Sequence, residues 1–194
     1  MSVILHIETA TETCSVAVSQ DGATIFKTDN VEGDYANGRA QELLGTMVDD
    51  ALSFTDNHAI PFDAVAVSAG PGSYTGLRIG ISMAKGICYA RDLKLIALPT
   101  LQILSVPVLL VHDDLPDDAL LCPMIDARRM EVYTALYTRA LKPIENICAK
   151  VVDETFFSEH LDKHPIYFFG NGAEKCKSVI NHPNAHFIDK VELL

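Results

Sequence analysis

Two acidic residues each follow a short apolar run that the sequence predicts to be a β-strand. Glu8 follows Val3–Ile7, and Asp126 follows Leu120–Ile125. Carboxylates at strand ends can hold a magnesium ion, and such an ion can activate water or orient a phosphate. This pattern is therefore compatible with a metal-dependent hydrolase or with a nucleotide-binding phosphotransferase.

A glycine-rich turn, 68-SAGPGSYTGLRIG-80, lies downstream of the first acid. Its candidate phosphate-facing residues are Gly70, Gly72 and Ser73, which join Glu8 and Asp126 in that role. A Walker A loop needs Lys and then Ser or Thr after its last glycine, but Leu77-Arg78 follow Gly76 here. Pro71 also removes one N–H. The stretch favours a tight turn with Ser73 as helix N-cap over an anion site at the same helix N-terminus.

The helix that this turn starts has small residues at every fourth position. Gly76, Gly80 and Ala84 form this edge. A glycine inside a helix costs about 1 kcal/mol relative to alanine, so the edge predicts that another backbone packs close by. Either the preceding helix of the same chain or another subunit could supply it. We predict a partner or dimer interface formed by Leu44, Met47, Val48, Ala51, Gly76, Leu77, Gly80, Ile81 and Ala84. On this prediction Gly80→Leu abolishes pairing and leaves the fold intact.

The order of predicted elements occurs twice along the chain. The first series has strands at Val3–Ile7, 14–19, Ala23–Thr28 and 64–69, with helices at Tyr35–Phe54 and 74–91 and a further strand at Leu95–Leu98. The second has strands at Leu120–Ile125, Met130–Thr138, Ile147–Val151 and Ile166–Phe169, with helices at Glu154–Leu161 and Ala173–Ile180. A glycine turn precedes the second helix in both series: Gly70-Pro71-Gly72 and Gly170-Asn171-Gly172.

This repetition predicts an α/β protein with a duplicated β-β-β-α-β-α unit. Two such units form the two-lobed actin/Hsp70/sugar-kinase (ASKHA) fold, which early hairpins favour over a single doubly wound sheet. We predict an N-terminal lobe over residues 1–106, with both interface helices, and a C-terminal lobe over 107–194. A solvated linker is expected at Pro107–Ala119, and the apolar ending DKVELL suggests that a C-terminal helix is cut short.

Composition narrows the functional class. The chain has 194 residues, 48% of them apolar, and no apolar run long enough to span a membrane. Five cysteines without a CxxC spacing favour reduced thiols and a cytoplasmic location. A net charge of −11 argues against autonomous nucleic-acid binding. His160 and His164 have HxxxH spacing, but Pro165 follows directly, and we interpret them as a solvated helix end rather than a metal site.

Four stretches together resemble the TsaB (YeaZ) family. They are IETATETCSVAVSQDG near the N-terminus, SAGPGSYTGLRIGISMAKGICYARDLKLIALPTLQIL in the centre, and MIDARRMEVYTALY and FFGNGAEK further on. The resemblance extends from near residue 4 to near residue 175, and the long central stretch is its most specific part.

The resemblance implies the two-lobed fold and a cytoplasmic protein needed to make threonylcarbamoyladenosine in tRNAs that read ANN codons. It implies a non-catalytic paralogue of the threonylcarbamoyltransferase subunit (TsaD-like), paired with it through the two N-lobe helices. A TsaE-like ATPase subunit joins the complex, so ATP and Mg²⁺ are expected only at that level. The same surface is expected to form homodimers. No catalytic residue, metal ligand or cofactor is assigned to this chain.

Two features of the sequence agree with the non-catalytic interpretation. The catalytic paralogue carries a metal-binding HxxxH in its first-helix region, whereas Tyr35–Phe54 contains no histidine. The first strand of the family usually ends in Asp and ends here in Glu8, whose longer side chain would displace a carboxylate meant for a metal-bound phosphate. The sequence leaves an enzymatic alternative open. It is a metal-dependent hydrolase (a glycoprotease-like peptidase) or a nucleotide-binding phosphotransferase, with its site in a cleft between the lobes.

Overall fold

The computed structural model describes residues 1–31, 40–191 and 193, and it divides into two compact units. Residues 1–100 belong to the first unit, and the second begins at Leu101. The predicted lobe boundary after residue 106 falls inside the helix Thr100–Val111. The predicted start of the first helix, at Tyr35, lies outside the described residues, as do Glu192 and Leu194 of the final DKVELL segment.

The first unit is a five-stranded mixed sheet with two long helices. Its elements are β1 (Val3–Glu8), β2 (Ser15–Gln20), β3 (Ala23–Asp29), α1 (Ala40–Asn57), β4 (Ala64–Ser68), α2 (Tyr74–Arg91) and β5 (Lys94–Leu98). The strand order is β3-β2-β1-β4-β5. The central strand β1 is antiparallel to β2 and parallel to β4, so the ends of β1 and β4 that carry Glu8 and Ser68 lie at the same edge of the sheet.

The second unit repeats this topology. After α3 (Thr100–Val111) come β6 (Leu120–Asp126), β7 (Glu131–Thr138), β8 (Pro143–Val151), α4 (Ser158–Leu161), β9 (Ile166–Phe169) and β10 (Ala185–Ile188). Their order is β10-β9-β6-β7-β8, with β6 in the place of β1. The predicted duplication is therefore confirmed, and each copy has a fifth strand, β5 or β10, at the sheet edge.

Three predicted elements of the second half differ from the structure. The helix expected at Ala173–Ile180 is only a 3-10 turn, Glu174–Cys176, and the one expected at Glu154–Leu161 is limited to α4. Two short turns already bury the apolar residues Ala173, Cys176 and Leu161 in the core of this unit. The predicted linker was wrong at its start, because α3 continues through Pro107 to Val111 and buries Val108.

The predicted interface residues lie mainly inside the first unit. The buried ones are Leu44, Met47, Val48, Ala51, Gly76, Gly80 and Ala84, while Leu77 and Ile81 are half-buried. The apolar faces of α1 and α2 pack against the sheet together with Leu5, Val16 and Val65. The hydrophobic effect therefore already holds these seven residues in the core of their own unit, and their part in a partner or dimer interface stays a prediction.

The small-residue edge of α2 faces the segment that follows β1. A Cβ added at Gly76 would lie 2.1 Å from the carbonyl oxygen of Thr9, and one at Gly80 would lie 2.3 Å from Thr9 Oγ1. Thr9 Oγ1 donates a hydrogen bond to the carbonyl oxygen of Gly76 at 2.9 Å. The close approach implied by the glycines is thus intramolecular. The expectation that Gly80→Leu leaves the fold intact is wrong, since a leucine would collide with the buried Thr9.

Two other helix glycines have open space beside them. A Cβ at Gly45 in α1 or at Gly86 in α2 would meet nothing within 4 Å. Both glycines lie on the exposed sides of their helices.

Among the described residues, no helix is long and apolar enough to cross a bilayer.

Substituting alanine at Gly76 and at Gly86 is expected to have opposite effects on stability. Gly86→Ala should raise the free energy of unfolding by up to about 1 kcal/mol, because alanine favours a helix and its methyl group meets no atom. Gly76→Ala should lower it by about 1–3 kcal/mol, because its Cβ would overlap the Thr9 carbonyl. Urea unfolding of both variants measures this difference, and equal shifts in the same direction would contradict the packing described.

Candidate functional site

Glu8 is held by the backbone and side chain next to it. Its Oε1 accepts a hydrogen bond from the Ala10 N–H at 2.6 Å and another from Ser68 Oγ at 2.9 Å. The residue is 9% exposed. Burial raises the pKa of the Glu8 carboxyl, while the hydrogen bonds from Ala10 and Ser68 act in the opposite direction. The side chain therefore stabilises the junction of β1 and β4.

The glycine-rich turn after β4 also packs onto the segment that follows β1. The Ser73 N–H donates to the Ala10 carbonyl at 2.6 Å, and a Cβ at Gly72 would lie 2.3 Å from that same oxygen. The Gly70 N–H donates to Thr100 Oγ1 at 3.1 Å, and Pro71 has no N–H. Two amides of the proposed phosphate cradle are therefore already engaged within the unit.

Ser73 begins α2 as predicted. Its Oγ accepts a hydrogen bond from the Gly76 N–H at 3.2 Å, which satisfies one of the free amides of the first helical turn. The N-cap prediction is confirmed. That Gly70, Gly72 or Ser73 faces a phosphate stays a prediction.

Asp126, at the end of β6, is more exposed than Glu8 and is paired with a lysine. Its carboxylate contacts the ammonium group of Lys175, which also donates to the carbonyl oxygens of Arg129 at 2.8 Å and Glu131 at 2.7 Å. The Lys175 hydrogen bond lowers the pKa of Asp126 below its usual range. The Lys175 ammonium group therefore engages Oδ1 of this carboxylate and neutralises its charge.

The second glycine turn lies against the end of β6, just as the first lies against the end of β1. Asn171 Oδ1 accepts a hydrogen bond from the Asp126 N–H at 2.9 Å. A Cβ at Gly170 would lie 2.4 Å from the Met124 carbonyl, and φ at this glycine is +96°. The predicted correspondence between the two glycine turns holds, and each turn packs against the segment that carries the strand-end acid.

The histidines with HxxxH spacing face different partners. His160 Nε2 lies 3.2 Å from Glu145 Oε1, while His164 Nδ1 lies 3.8 Å from Asp118 Oδ2. In the parts of the chain that the structure describes, no group of three or more His, Cys, Asp or Glu residues could hold a metal ion.

The outward faces of α1 and α2 carry opposite charges, a feature that the sequence interpretation missed. The acids of α1 are Glu42, Asp49, Asp50 and Asp56, and the bases of α2 are Arg78, Lys85 and Arg91. Neither helix contains a charge of the other sign. Arg91 joins the two helices through an ion pair with Asp56 at 3.2 Å.

Two exposed tyrosines extend the outward face of α2. Tyr74 is 74% exposed and Tyr89 is 93% exposed. Arg78 Nη1 donates to Tyr74 Oη at 3.1 Å, and its guanidinium lies 5.2 Å from the ring centroid. Spacings of four, seven and four residues place Tyr74, Arg78, Lys85 and Tyr89 on one side of the helix. This spacing could have been recognised in the sequence once the small-residue edge was assigned to the core.

Together these features define a two-lobed α/β protein whose strand-end acids are bound by its own residues. The family model that matches residues 34–183 is described as TsaD: tRNA N6-adenosine threonylcarbamoyltransferase. Two curated relatives are named tRNA threonylcarbamoyladenosine biosynthesis protein TsaB. The Escherichia coli protein is 35% identical over 70% of this chain and 55% of its own length. The Bacillus subtilis protein is 30% identical over 91% of this chain and 74% of its own length. The chain belongs to the TsaB family, within the group that the TsaD family model describes, and spans little more than half of the E. coli relative.

Solved structures show the same fold. A Pseudomonas aeruginosa protein described as similar to peptidase YEAZ superposes with a TM-score of 0.73 at 23% identity, over 97% of this chain and 84% of that one. YeaZ from Pseudomonas aeruginosa superposes with a TM-score of 0.59 at 29% identity, over 78% of this chain and 68% of that one. The predicted resemblance to the TsaB (YeaZ) family and the predicted two-lobed fold are confirmed.

Glu8→Gln is expected to stabilise the protein at neutral pH more than at acid pH. Because burial raises the folded-state pKa of Glu8, its stabilising contribution is complete below the unfolded pKa near 4.5 and is lost as pH rises through the folded pKa. Glutamine is neutral throughout, and its Oε1 can accept the same two hydrogen bonds. The difference in unfolding free energy between variant and wild type should therefore grow as pH rises above about 4.5 and become constant once pH exceeds the folded-state pKa of Glu8.

Urea unfolding across this pH range measures the difference. Glu12→Gln, at an exposed position just beyond β1, is the matched control and should show no such trend. Parallel profiles for wild type and Glu8→Gln would contradict the assignment of a raised pKa to Glu8.

Proposed function

We propose that the chain acts as a non-catalytic scaffold or activator subunit in the synthesis of tRNA N6-threonylcarbamoyladenosine. In this role it binds the catalytic threonylcarbamoyltransferase subunit, which is TsaD-like. Membership of the TsaB family supports the pathway, since the relatives bear the name tRNA threonylcarbamoyladenosine biosynthesis protein TsaB. The observation that carries the proposed role is the pair of oppositely charged outward faces on α1 and α2.

The state of the two strand-end acids supports a non-catalytic role. Glu8 accepts hydrogen bonds from Ala10 and Ser68, and Asp126 pairs with Lys175. A catalytic carboxylate must be able to contact a metal ion, a substrate or a proton in transfer. Each of these carboxylates instead stabilises the local backbone of its own unit.

The outward faces of α1 and α2 suit a helix pair with the reverse charge arrangement. An acidic helix of the partner would lie along Arg78 and Lys85, and a basic one along Asp49. Gly45 and Gly86 leave room for a close approach, because a Cβ built on either would meet no atom within 4 Å beyond the adjoining turns of its own helix. Four helices packed in this way form a bundle, and Tyr74 and Tyr89, with the half-buried Leu77 and Ile81, can contribute to the contact.

A second copy of this chain meets the same requirement. In a two-fold dimer the acidic α1 of one copy faces the basic α2 of the other. Homodimers are therefore expected to compete with the catalytic subunit for one surface. A TsaE-like ATPase subunit, with ATP and Mg²⁺, is expected to join the assembled pair.

Gly86→Leu is expected to weaken binding of the catalytic subunit while the fold stays intact. A leucine at this position projects into space that the partner helix would occupy, whereas Gly86→Ala should be tolerated. Lys85→Glu should also weaken binding, by tenfold or more (about 1.4 kcal/mol), because it places like charges opposite one another. Calorimetric titration and size-exclusion chromatography with the catalytic subunit measure both effects.

Lys142→Glu is the matched control for charge reversal, because Lys142 is exposed in the turn between β7 and β8. Unchanged affinity in both Gly86→Leu and Lys85→Glu would contradict the proposed interface. A loss of binding in Lys142→Glu that equals the loss in Lys85→Glu would show a general charge effect.

The enzymatic alternative has a direct test. Titration of the purified chain with Mg-ATP at millimolar concentration is expected to give no heat of binding. Heat that disappears in Glu8→Gln or Asp126→Asn would support a nucleotide-binding phosphotransferase instead.

A further inference from the structure

The turn between β6 and β7 has an unusual backbone conformation. Arg128 has φ of +72° and Arg129 has φ of +48°, so two successive residues with long side chains adopt the left-handed region. Glycine and asparagine adopt this region at lower cost. Two arginines in these positions suggest that their side chains have a role that outweighs the backbone strain.

Lys175 fixes this turn from inside. Its ammonium group donates to the carbonyl oxygens of Arg129 and Glu131 and contacts the Asp126 carboxylate. The Arg128 N–H donates to Asp126 Oδ1 at 2.9 Å, and the Glu131 N–H donates to the Arg128 carbonyl at 3.1 Å. The backbone that carries the two arginines is therefore held in one conformation before any ligand binds.

The two guanidinium groups are available for a ligand. Both arginines are exposed, and within the described part of the chain neither makes a hydrogen bond or an ion pair through its guanidinium. Lys175 pairs with Asp126, whose negative charge also attracts Arg128. The three bases Arg128, Arg129 and Lys175 against the two acids Asp126 and Glu131 leave one net positive charge at the turn. This local excess of positive charge contrasts with the net charge of −11 of the chain.

We propose that this turn, Ala127–Met130, binds the phosphate backbone of an RNA strand, with Arg128 and Arg129 as the contacting residues and Lys175 as a positioning residue. The guanidinium group matches a phosphate through two parallel hydrogen bonds. Phosphate contacts need no apolar surroundings, and Ala127 and Met130 of the turn are half-buried rather than exposed. The proposal rests on the proposed function, which brings the chain into a complex that acts on tRNA.

Two phosphate contacts are too few for this acidic chain to bind RNA alone. They add to the affinity once a partner subunit supplies most of the binding. The turn would then orient the RNA on the complex without reading its sequence.

The test uses the complex of this chain with the catalytic subunit and a tRNA transcript. Fluorescence anisotropy at several salt concentrations gives the slope of log K against log salt. Replacing both residues, Arg128→Ala with Arg129→Ala, is expected to reduce the magnitude of this slope by about 1.4–1.8, or about 0.7–0.9 per lost contact. Lysine at both positions should keep most of the slope, and Lys142→Ala should leave it unchanged.

Glycine at both positions separates binding from folding. Arg128→Gly with Arg129→Gly relieves the backbone strain, so the melting temperature should rise while the slope falls as in the alanine variant. An unchanged slope in a fully assembled alanine variant would overturn the RNA contact and leave the proposed function standing. If the alanine variant binds the catalytic subunit more weakly but keeps the slope unchanged, the RNA contact is also overturned. The two arginines would then bind a carboxylate of the partner protein instead. Failure of the wild-type chain to assemble would refute both proposals, and size-exclusion chromatography reports it separately.

Discussion

The contact between Thr9 and the small-residue edge of α2 is the constraint on which the first unit depends. The threonine hydroxyl bonds to the Gly76 carbonyl, and any side chain at Gly76 or Gly80 would overlap Thr9. The helix is thereby pressed onto the end of β1. The opposite side of α2, with Tyr74, Arg78, Lys85 and Tyr89, must then face outward. The packing of Thr9 against Gly76 and Gly80 thus determines which side of α2 can meet a partner.

The duplicated unit shows how one position in a fold can take two chemical states. Glu8 and Asp126 end corresponding central strands, and a glycine turn packs beside each. Burial raises the pKa of Glu8, whereas Lys175 lowers that of Asp126. In both units the carboxylate that could hold a metal ion is engaged by the protein itself, and the glycine turns serve as close-packed connections.

The sequence was sufficient for the fold class, because strand periodicity, hairpin signals and the repeated order of elements are local features. The family followed separately, from the resemblance of the four stretches to TsaB (YeaZ) sequences. It also identified Ser73 as an N-cap and Gly76 and Gly80 as sites of close approach. It could not identify the approaching group, because Thr9 meets α2 only through the tertiary fold, across a sequence separation of 67 residues for its bond to Gly76.

The same limit explains the elements that differ. A solvated linker was expected from Pro107 onwards, yet α3 continues to Val111 and buries Val108. Lys175 holds the Arg128–Arg129 turn through contacts with residues that lie 44 to 49 positions away in the sequence. In the sequence alone, Arg128 and Arg129 are only a short basic pair and do not indicate a binding site. Long-range contacts of this kind decide which glycines, acids and bases remain available for function.

The central claim is that the outward face of α2 binds the catalytic subunit. Lysine footprinting of the chain with and without that subunit tests it most directly. Lys85 lies on the outward face of α2, and Lys142 lies exposed in the second unit as an internal reference. We expect that acylation of Lys85, measured by mass spectrometry, falls strongly on complex formation while that of Lys142 does not change. Equal reactivity of Lys85 in the free chain and in the complex would contradict the assignment of this face to the partner.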